Sequence, residues 1–219
     1  PIAGTTIGGL PTDVSGNVVN GSWDSTLKGL FAAGDAACSG FHGASINSGD
    51  HLLGSLTSGY IAGTSAASFA SSSKHTSSNQ ISVALSEALH LHDSILTDAG
   101  ADGMSPGEVQ SNLANTMRTH MGPSRDASGM SRAAQMITEL RETKLTIGDT
   151  SPVMNTEMVS MLRTEGLLVV ASAAVSAALA REESRGTHIR TDFPEIDDKK
   201  ANHSLSSNDG IVATLNLRN

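Results

Sequence analysis

The stretch GLFAAGDAACSGFHGA, residues 29–44, decides how the first part of this chain is interpreted. It begins as a short apolar strand, reaches Gly34 and Asp35, and continues in small residues toward a segment of helical periodicity. A carboxylate at a strand end can accept hydrogen bonds from a polyol, and glycine lets the backbone approach a bound molecule closely. The N–H groups at the start of the following helix can face electron-rich atoms. The pattern indicates a flavin-type cofactor site, although an ordinary strand–turn–helix with Asp35 in a turn explains it equally well.

Short strands and turns are predicted on the N-terminal side of this stretch, and a helix on its C-terminal side. Residues 17–19 and 30–33 are short enough for strands, and glycine-rich turns precede them. Residues 52–70 carry apolar side chains at helical spacing and predict a helix. The polar run SSSKHTSS at 71–78 predicts a loop or linker.

The remainder of the chain is predicted to be mostly helical. Residues 105–120 open with Ser-Pro, a helix start signal, and residues 125–144 carry one apolar stripe among charged residues. The longest helix is expected over residues 155–185, with Asn155 as its N-cap and Gly186 just after its last turn.

The most apolar run of the chain is GLLVVASAAVSAALA, residues 166–180. It is shorter than the usual ~18 to 20 residues of a membrane span, and Glu165 and Arg181 flank it directly. We therefore expect a buried helix and no direct membrane span. Residues 211–217 alternate in polarity and predict a terminal strand.

Composition excludes several classes of protein. Hydrophobic residues make up 38% of the 219 residues, which is enough for a folded core. The net charge is −8 and no basic run is present, so a nucleic-acid partner is not expected. The single cysteine, Cys38, cannot form an internal disulfide, which favours a reducing compartment. The first residues, PIAGTTIGG, do not have the pattern of a signal peptide.

Five motifs occur in a fixed order along almost the whole chain. They are TTIGGLPTDVSGNV at 5–18, GLFAAGDAA at 29–37, FHGA at 41–44, NTEMV at 155–159 and AREESRGTHIRTDFPEIDD at 180–198. Together with His203 in NHSL, they resemble the flavoprotein subunits of the succinate dehydrogenase, fumarate reductase and L-aspartate oxidase group. The weakest match lies at about residues 71–104. Singly, each motif has a structural explanation; for example, Glu182, Glu183 and Arg185 could be a solvated helix end, and His188 and Arg190 could be exposed.

The resemblance implies a fold and a domain division. An α/β part of a Rossmann-like FAD-binding domain is expected, followed by a helical, three-helix-bundle-like domain. The expected segments are 1–73 for the FAD-binding part, 74–104 for a linker, 105–205 for the helical domain and 206–219 for a terminal strand or tail.

The resemblance also implies FAD as the cofactor, with hydride moving between a dicarboxylate substrate and flavin N5. Asp35 would bind the ribityl chain, and the backbone near the following helix would pass the flavin ring. The cofactor-binding candidates are Gly34, Asp35, His42, Gly43, Ala44, Ser45, Leu52 and Leu53.

Two positions depart from the family pattern at the substrate. Gly4 stands where the family has a histidine that holds a substrate carboxylate, and Ile46 stands where it has an arginine. An apolar side chain cannot replace a guanidinium, and Asp50 nearby would repel a dianion. His42 and His51 are weak candidates for catalytic residues that replace part of the lost function, but packing or helix capping explains them better.

The chain has no G-x-G-x-x-G fingerprint for a dinucleotide pyrophosphate. We therefore expect a fragment, one half of a split subunit, or a paralogue that needs an N-terminal partner to hold FAD. The alternative is a catalytically inert structural subunit of a respiratory flavoprotein complex. Expected partners are the remainder of the flavoprotein and, as a further candidate, an iron–sulfur subunit. The expected location is the cytoplasm or the mitochondrial matrix, peripheral to the inner membrane through partner subunits.

Two other patterns carry little weight. His90 and His92 would share one face of a strand, but no further ligand cluster accompanies them, so no metal site is expected. Cys38 and Ser39 have no recognisable His–Asp arrangement for nucleophilic catalysis.

Overall fold

A computed structural model of the chain describes residues 8–20, 25–47, 49–206 and 212–215. The chain divides into two compact units, Pro1–His75 and Thr76–Asn219. We call them the N-terminal unit and the helical unit. Gly4 lies outside the described residues, as does part of the 5–18 motif.

In the part that the structure describes, the N-terminal unit combines short strand pairs with one long helix. Strand β1 (Leu10–Pro11) pairs in parallel with β4 (Ala37–Cys38), and β2 (Asn17–Val19) pairs antiparallel with β3 (Thr26–Phe31). Helix α1 (Asp50–Ser72) follows. The predicted strand at 17–19 and helix at 52–70 are confirmed. The strand predicted at 30–33 instead spans Thr26–Phe31.

A close contact between two small residues sets helix α1 against the strand region. Gly16 has φ +80°, and a Cβ on it would lie 2.6 Å from the Cβ of Ala62, which is buried in α1. A side chain at Gly16 would therefore force the helix away, besides adopting a backbone conformation that favours glycine. Further along the helix, the rings of Phe31 and Phe69 meet edge to face at 6.0 Å.

Within its described residues, the helical unit contains four long helices and two short strand pairs. Its helices are α2 (Ser78–Thr97), α3 (Pro106–His120), α4 (Ala127–Glu142) and α5 (Thr156–Ala180). Strand β5 (Ser124–Arg125) pairs in parallel with β6 (Ile189–Arg190), and β7 (His203–Ser206) pairs antiparallel with β8 (Val212–Leu215). The predicted helical C-terminal part is confirmed, and β8 lies within the strand predicted at 211–217.

Side-chain caps begin these helices where the sequence predicts. Ser105 Oγ accepts a hydrogen bond from the Glu108 backbone N–H at 3.3 Å, and the Glu108 carboxylate accepts from the Ser105 N–H at 2.9 Å. Asn155 Oδ1 accepts from the Met158 N–H at 2.8 Å, as expected for its predicted capping role. Each cap provides a partner for a backbone donor that has none within the helix.

The hydrophobic core of the helical unit lies between α3, α4 and α5. Helices α4 and α5 pack against each other, and α3 packs against both. The buried residues of the main cluster are Val109, Leu113, Met130, Ala133, Ile137, Leu140, Leu145, Leu168, Ala171, Val175 and Ala178. A smaller cluster joins Ile95 of α2 to Ile147 and Met158.

The structure corrects three expectations about this unit. The expected linker at 74–104 contains the 20-residue helix α2, which a Ser77–Gln80 capping box begins. Helix α5 ends at Ala180 rather than near Gly186, because the chain turns back to pair with its own helix end. The run at 166–180 is buried along one face only, since Val169 and Val170 are 46% and 58% exposed.

Within the described residues, α5 is the one helix long and apolar enough to cross a membrane, with mean hydropathy 1.5 over an 18-residue window. Of that window, 22% is buried within the chain. Length and composition alone support this finding, and helices that form protein cores pass the same test. The absence of a direct span therefore stays an expectation.

The buried side chain of Met130 gives a test of how the core of the helical unit is packed. Its side chain is fully buried, so Met130→Ala should lower the free energy of unfolding by about 2–5 kcal/mol through lost burial and a residual cavity. Met136 on the same helix is 41% exposed, so Met136→Ala should cost less than about 1 kcal/mol. Urea unfolding of both variants checks this, and equal losses would contradict the packing described.

Candidate functional site

The first candidate site lies where helix α1 begins. A 3-10 turn at Gly34–Ala36 presents Asp35, and His51 Nε2 lies 2.6 Å from Asp35 Oδ1. Because an ionised carboxylate can only accept, the imidazole is the donor. The side chains remain 66% exposed for Asp35 and 47% for His51. A polar pair of this kind is accessible to a bound molecule.

Helix α1 holds the Gly34 turn through a second contact. Ser58 Oγ accepts a hydrogen bond from the Gly34 backbone N–H at 3.0 Å and donates to the Gly54 carbonyl at 2.6 Å. The position of the Asp35 backbone is therefore set by the helix on which His51 lies.

The entrance to α1 combines a backbone terminus with apolar side chains. Gly49 precedes the helix with φ +88°, and its N-cap position has no side-chain hydrogen bond. In the first turn, Leu52 and Leu53 are 66% and 58% exposed. Exposed leucines in the helical turn that carries His51 offer apolar surface to a ligand.

His42 occupies a different environment from His51. Its ring meets the Phe41 ring edge to face at 5.1 Å, and its Nε2 would lie 3.0 Å from a Cβ on Gly54. This close approach to α1 supports a packing role. Gly43 has φ +56°, and the Ser45 N–H donates to the His42 carbonyl at 3.3 Å, so the HGAS segment forms a turn. Ala44 lies in the same turn and is half-buried.

The structure thus gathers most of the predicted cofactor-binding residues around the first turns of α1. Asp35 and His51 contact each other directly, whereas Gly34 and His42 contact other residues of the helix. Their roles stay predictions. The pairing of Asp35 with His51 could not be read from the sequence, because neither residue's spacing implies contact with the other.

A second cluster lies in the helical unit, just after α5. Glu183 is 1% exposed. Its carboxylate accepts from Arg181 Nη1 at 2.6 Å and from Arg185 Nε and Nη2, each at 3.0 Å. The Asp197 N–H also donates to it at 2.9 Å. Burial raises the pKa of Glu183, but the bonds from Arg185, Asp197 and Arg181 outweigh it and lower the pKa overall.

Arg190 closes the C-terminal end of α5. Its guanidinium is 1% exposed, and Nη1 donates to the carbonyls of Ala178, Leu179 and Arg181 at 3.1–3.3 Å. These are among the carbonyls that a helix end leaves without partners, and a cation there complements the helix dipole. The chain therefore folds back instead of continuing the helix to Gly186.

Asp192 links this helix end to the start of α4. Its carboxylate accepts a bidentate pair from Arg190 at 2.8 and 2.7 Å, and Oδ2 also accepts from the Ala127 N–H at 2.9 Å. The Arg190 hydrogen bond is the main cause that lowers the pKa of Asp192. Phe193 lies below the guanidinium, with Cζ 4.8 Å from the ring centroid.

His188 lies inside this cluster rather than exposed at a helix end. Its Nε2 lies 3.1 Å from the Arg181 carbonyl. Burial lowers the pKa of His188, with smaller contributions from Arg125, Arg181 and Arg190. The solvated alternative for this motif is wrong for Glu183 and Arg190. The mixture of acidic and basic residues in the motif at 180–198 was a signal that they pair with one another.

The remaining candidates do not converge. His90 and His92 lie on helix α2, where residues two apart do not share a face. His92 instead bonds Asp93 at 3.1 Å and the Pro152 carbonyl at 3.2 Å. Among the described residues, no group of three or more His, Cys, Asp or Glu side chains could hold a metal.

Two family models match this chain. Residues 110–217 match the model described as fumarate reductase flavoprotein C-term, and residues 2–52 match the FAD binding domain model. The expected cofactor, FAD, is thereby confirmed at the level of the family model.

Curated relatives match over nearly the whole chain. The fumarate reductase flavoprotein subunit of Mycobacterium tuberculosis is 36% identical over 91% of this chain and 34% of that protein. The succinate dehydrogenase flavoprotein subunit of Rickettsia bellii is 32% identical over 93% of this chain and 35% of that protein. The chain thus spans about a third of the length of the curated relatives it matches.

Solved structures have the same fold. A quinol fumarate reductase chain of E. coli superimposes with a TM-score of 0.80 at 26% identity, covering 96% of this chain and 36% of that one. Mycobacterium smegmatis Sdh1, in a structure with UQ1, gives 0.75 at 26% identity over 96% of this chain and 34% of its own.

Removal of Glu183 tests the buried cluster. Glu183→Ala leaves Arg181 and Arg185 without their shared carboxylate, and should lower the free energy of unfolding by about 3–5 kcal/mol. The neighbouring Glu182 is 56% exposed and 3.6 Å from Lys200. Glu182→Ala should therefore cost less than about 1 kcal/mol. Denaturant unfolding measures both, and similar values would contradict the cluster's role.

The Asp192 carboxylate gives a prediction about acid. Its pKa is lower in the folded chain than in the unfolded one, so its stabilisation is present above the unfolded value and is lost as pH falls below about 4. Asp192→Asn should flatten the acid limb of stability plotted against pH. Asp102→Asn, on an exposed loop, is the control. Urea midpoints between neutral and acidic pH measure this, and an unchanged acid limb for Asp192→Asn would refute it.

Proposed function

The chain belongs to the succinate dehydrogenase and fumarate reductase flavoprotein family, and we propose that it is the C-terminal part of an FAD-dependent oxidoreductase subunit. The observation that carries the proposal is the Asp35 carboxylate, exposed at the entrance to α1 and held by His51 at 2.6 Å. The family models and relatives support this identity. We place residues 1–73 in the Rossmann-like FAD-binding domain of that subunit.

The residues at the entrance to α1 fit a flavin. Asp35 supplies an acceptor for hydroxyls of the ribityl chain. Leu52 and Leu53 supply exposed apolar surface at the start of the helix, where backbone N–H groups can face ring carbonyl oxygens. Gly34 and Gly43 adopt positive φ, a conformation that favours glycine. Because glycine has no side chain, a ligand can approach the backbone closely at these two turns.

When bound, FAD supplies a hydride acceptor and donor at N5 of its ring. Residues of this chain would bind and orient that ring. Asp35 would bind the ribityl chain, and Gly43, Ala44 and Ser45 would lie beside the ring. The chain has no pyrophosphate fingerprint. The remainder of the subunit must therefore hold the diphosphate.

Ile46 and Asp50 bear on whether the site binds a dicarboxylate substrate. The charged donor that the family offers to a substrate carboxylate is missing at Ile46, so a dicarboxylate is bound through other residues or less tightly. His42 is packed against Phe41 and Gly54, and His51 bonds Asp35, so neither has the position of a free proton donor. The same substitution motivates the inert structural subunit as the second candidate, which the FAD-binding match disfavours.

The relatives support a proposal about partners and location. Relatives are flavoprotein subunits, and a solved neighbour is a quinol fumarate reductase. We propose assembly with the remainder of the flavoprotein and with an iron–sulfur subunit, on the cytoplasmic or matrix side of the inner membrane.

Replacement of Asp35 tests the proposal. In the chain assembled with the remainder of its flavoprotein, Asp35→Ala should weaken FAD binding about 10- to 100-fold, because a charge-assisted hydrogen bond to the ribityl chain is lost. Flavin absorbance and mass spectrometry of the purified assembly measure the bound FAD. Asp93→Ala, on exposed α2, is the matched control and should bind FAD normally.

Two results would count against the proposal. An unmodified assembly without flavin would favour the inert structural subunit. Full FAD content in the Asp35→Ala assembly would remove Asp35 from the cofactor site.

A further inference from the structure

The side chains of α1 that face the Asp35 turn form a single stripe. His51 and Ser58 are seven residues apart, which places them on the same face of the helix. Ser55 lies between them, and its Cβ would be 3.7 Å from a Cβ on Gly34. The stripe therefore follows the turn from the Asp35 carboxylate at one end to the Gly34 amide at the other.

The two ends of the stripe bind different parts of the turn. Ser58 accepts from the Gly34 N–H at 3.0 Å and so fixes the backbone. His51 donates to Asp35 Oδ1 at 2.6 Å and so fixes the side chain. A carboxylate on a backbone held in this way can still rotate about its own bonds, and His51 restricts that rotation.

The Asp35–His51 pair contributes little to folding. Both side chains are about half exposed or more, at 66% and 47%, and water screens such pairs strongly. A single donor also leaves acceptor capacity on the carboxylate, which carries about four lone-pair sites. The contact holds Asp35 in one orientation while leaving it able to accept from a ligand.

We propose that His51 is a positioning residue for the flavin, acting through Asp35. Its imidazole holds one carboxylate oxygen so that the carboxylate is oriented, before any ligand arrives, to accept a hydrogen bond from a ribityl hydroxyl. Binding then costs less entropy, because the acceptor need not be ordered. This inference rests on the proposed function, in which Asp35 binds the ribityl chain.

A double-mutant cycle with FAD as the probe tests the inference in the chain assembled with the remainder of its flavoprotein. His51→Ala should weaken FAD binding about 10-fold, and His51→Gln, which keeps an N–H donor, should stay within about 3-fold of the unmodified assembly. In an Asp35→Asn background, His51→Ala should change the affinity for FAD by less than about 2-fold, because the carboxylate that His51 orients is no longer present. Exposed His90→Ala on α2 is the control.

Three outcomes would overturn the positioning role, and a fourth would defeat the proposed function. Unchanged FAD affinity in His51→Ala overturns the positioning role while leaving the proposed function intact. The same loss in both backgrounds overturns it too, because His51 would then act independently of Asp35. A loss in His51→Gln equal to that in His51→Ala shows that the donor is irrelevant and also overturns it. An unmodified assembly without FAD defeats the proposed function, and this inference with it.

Discussion

The helical unit depends on the hydrogen bonds that the buried guanidinium of Arg190 makes. This guanidinium binds three carbonyls near the end of α5 and, through Asp192, reaches the first turn of α4. A charge this deeply buried is costly unless every donor finds an acceptor. Here the carbonyls at the end of α5 and the Asp192 carboxylate provide those acceptors, and the Ala127 N–H at the start of α4 donates to the same carboxylate. The electrostatic cluster therefore gives hydrogen-bond partners to the carbonyls at the end of α5 and to the first N–H of α4, which hydrophobic packing alone cannot provide.

The site in the N-terminal unit is built on a different principle. Its polar residues stay exposed, and their positions depend on helix α1. The Gly16–Ala62 approach sets the helix against the strand region, and the stripe that includes Ser58 then holds the Asp35 turn. Small residues bring the backbones together, and the exposed leucines beside them remain available to a ligand. The abundance of Gly, Ala and Ser in this chain thus has a structural use.

Local sequence rules predicted where helices α3 and α5 begin better than where α5 ends. The starts of α3 and α5 followed from Ser105 and Asn155, because a cap depends on residues a few positions away. The end of α5 was misplaced, because Arg190, which lies beyond the helix, terminates it through tertiary contacts. Motifs supplied the candidates for cofactor binding, but the Asp35–His51 contact joins two elements and has no signature within either segment.

The fold-back of Arg190 has a consequence for how the chain is made. A ribosome synthesises α4 and α5 before it adds the residues that close them, since Arg190 and Asp192 follow both helices in the sequence. Until those residues emerge, the last carbonyls of α5 and the first amide of α4 must be satisfied by water. The helical unit therefore reaches its final form only after Arg190 and Asp192 have left the ribosome. A nascent chain stalled before this point would be a natural substrate for chaperones that bind unfinished helices.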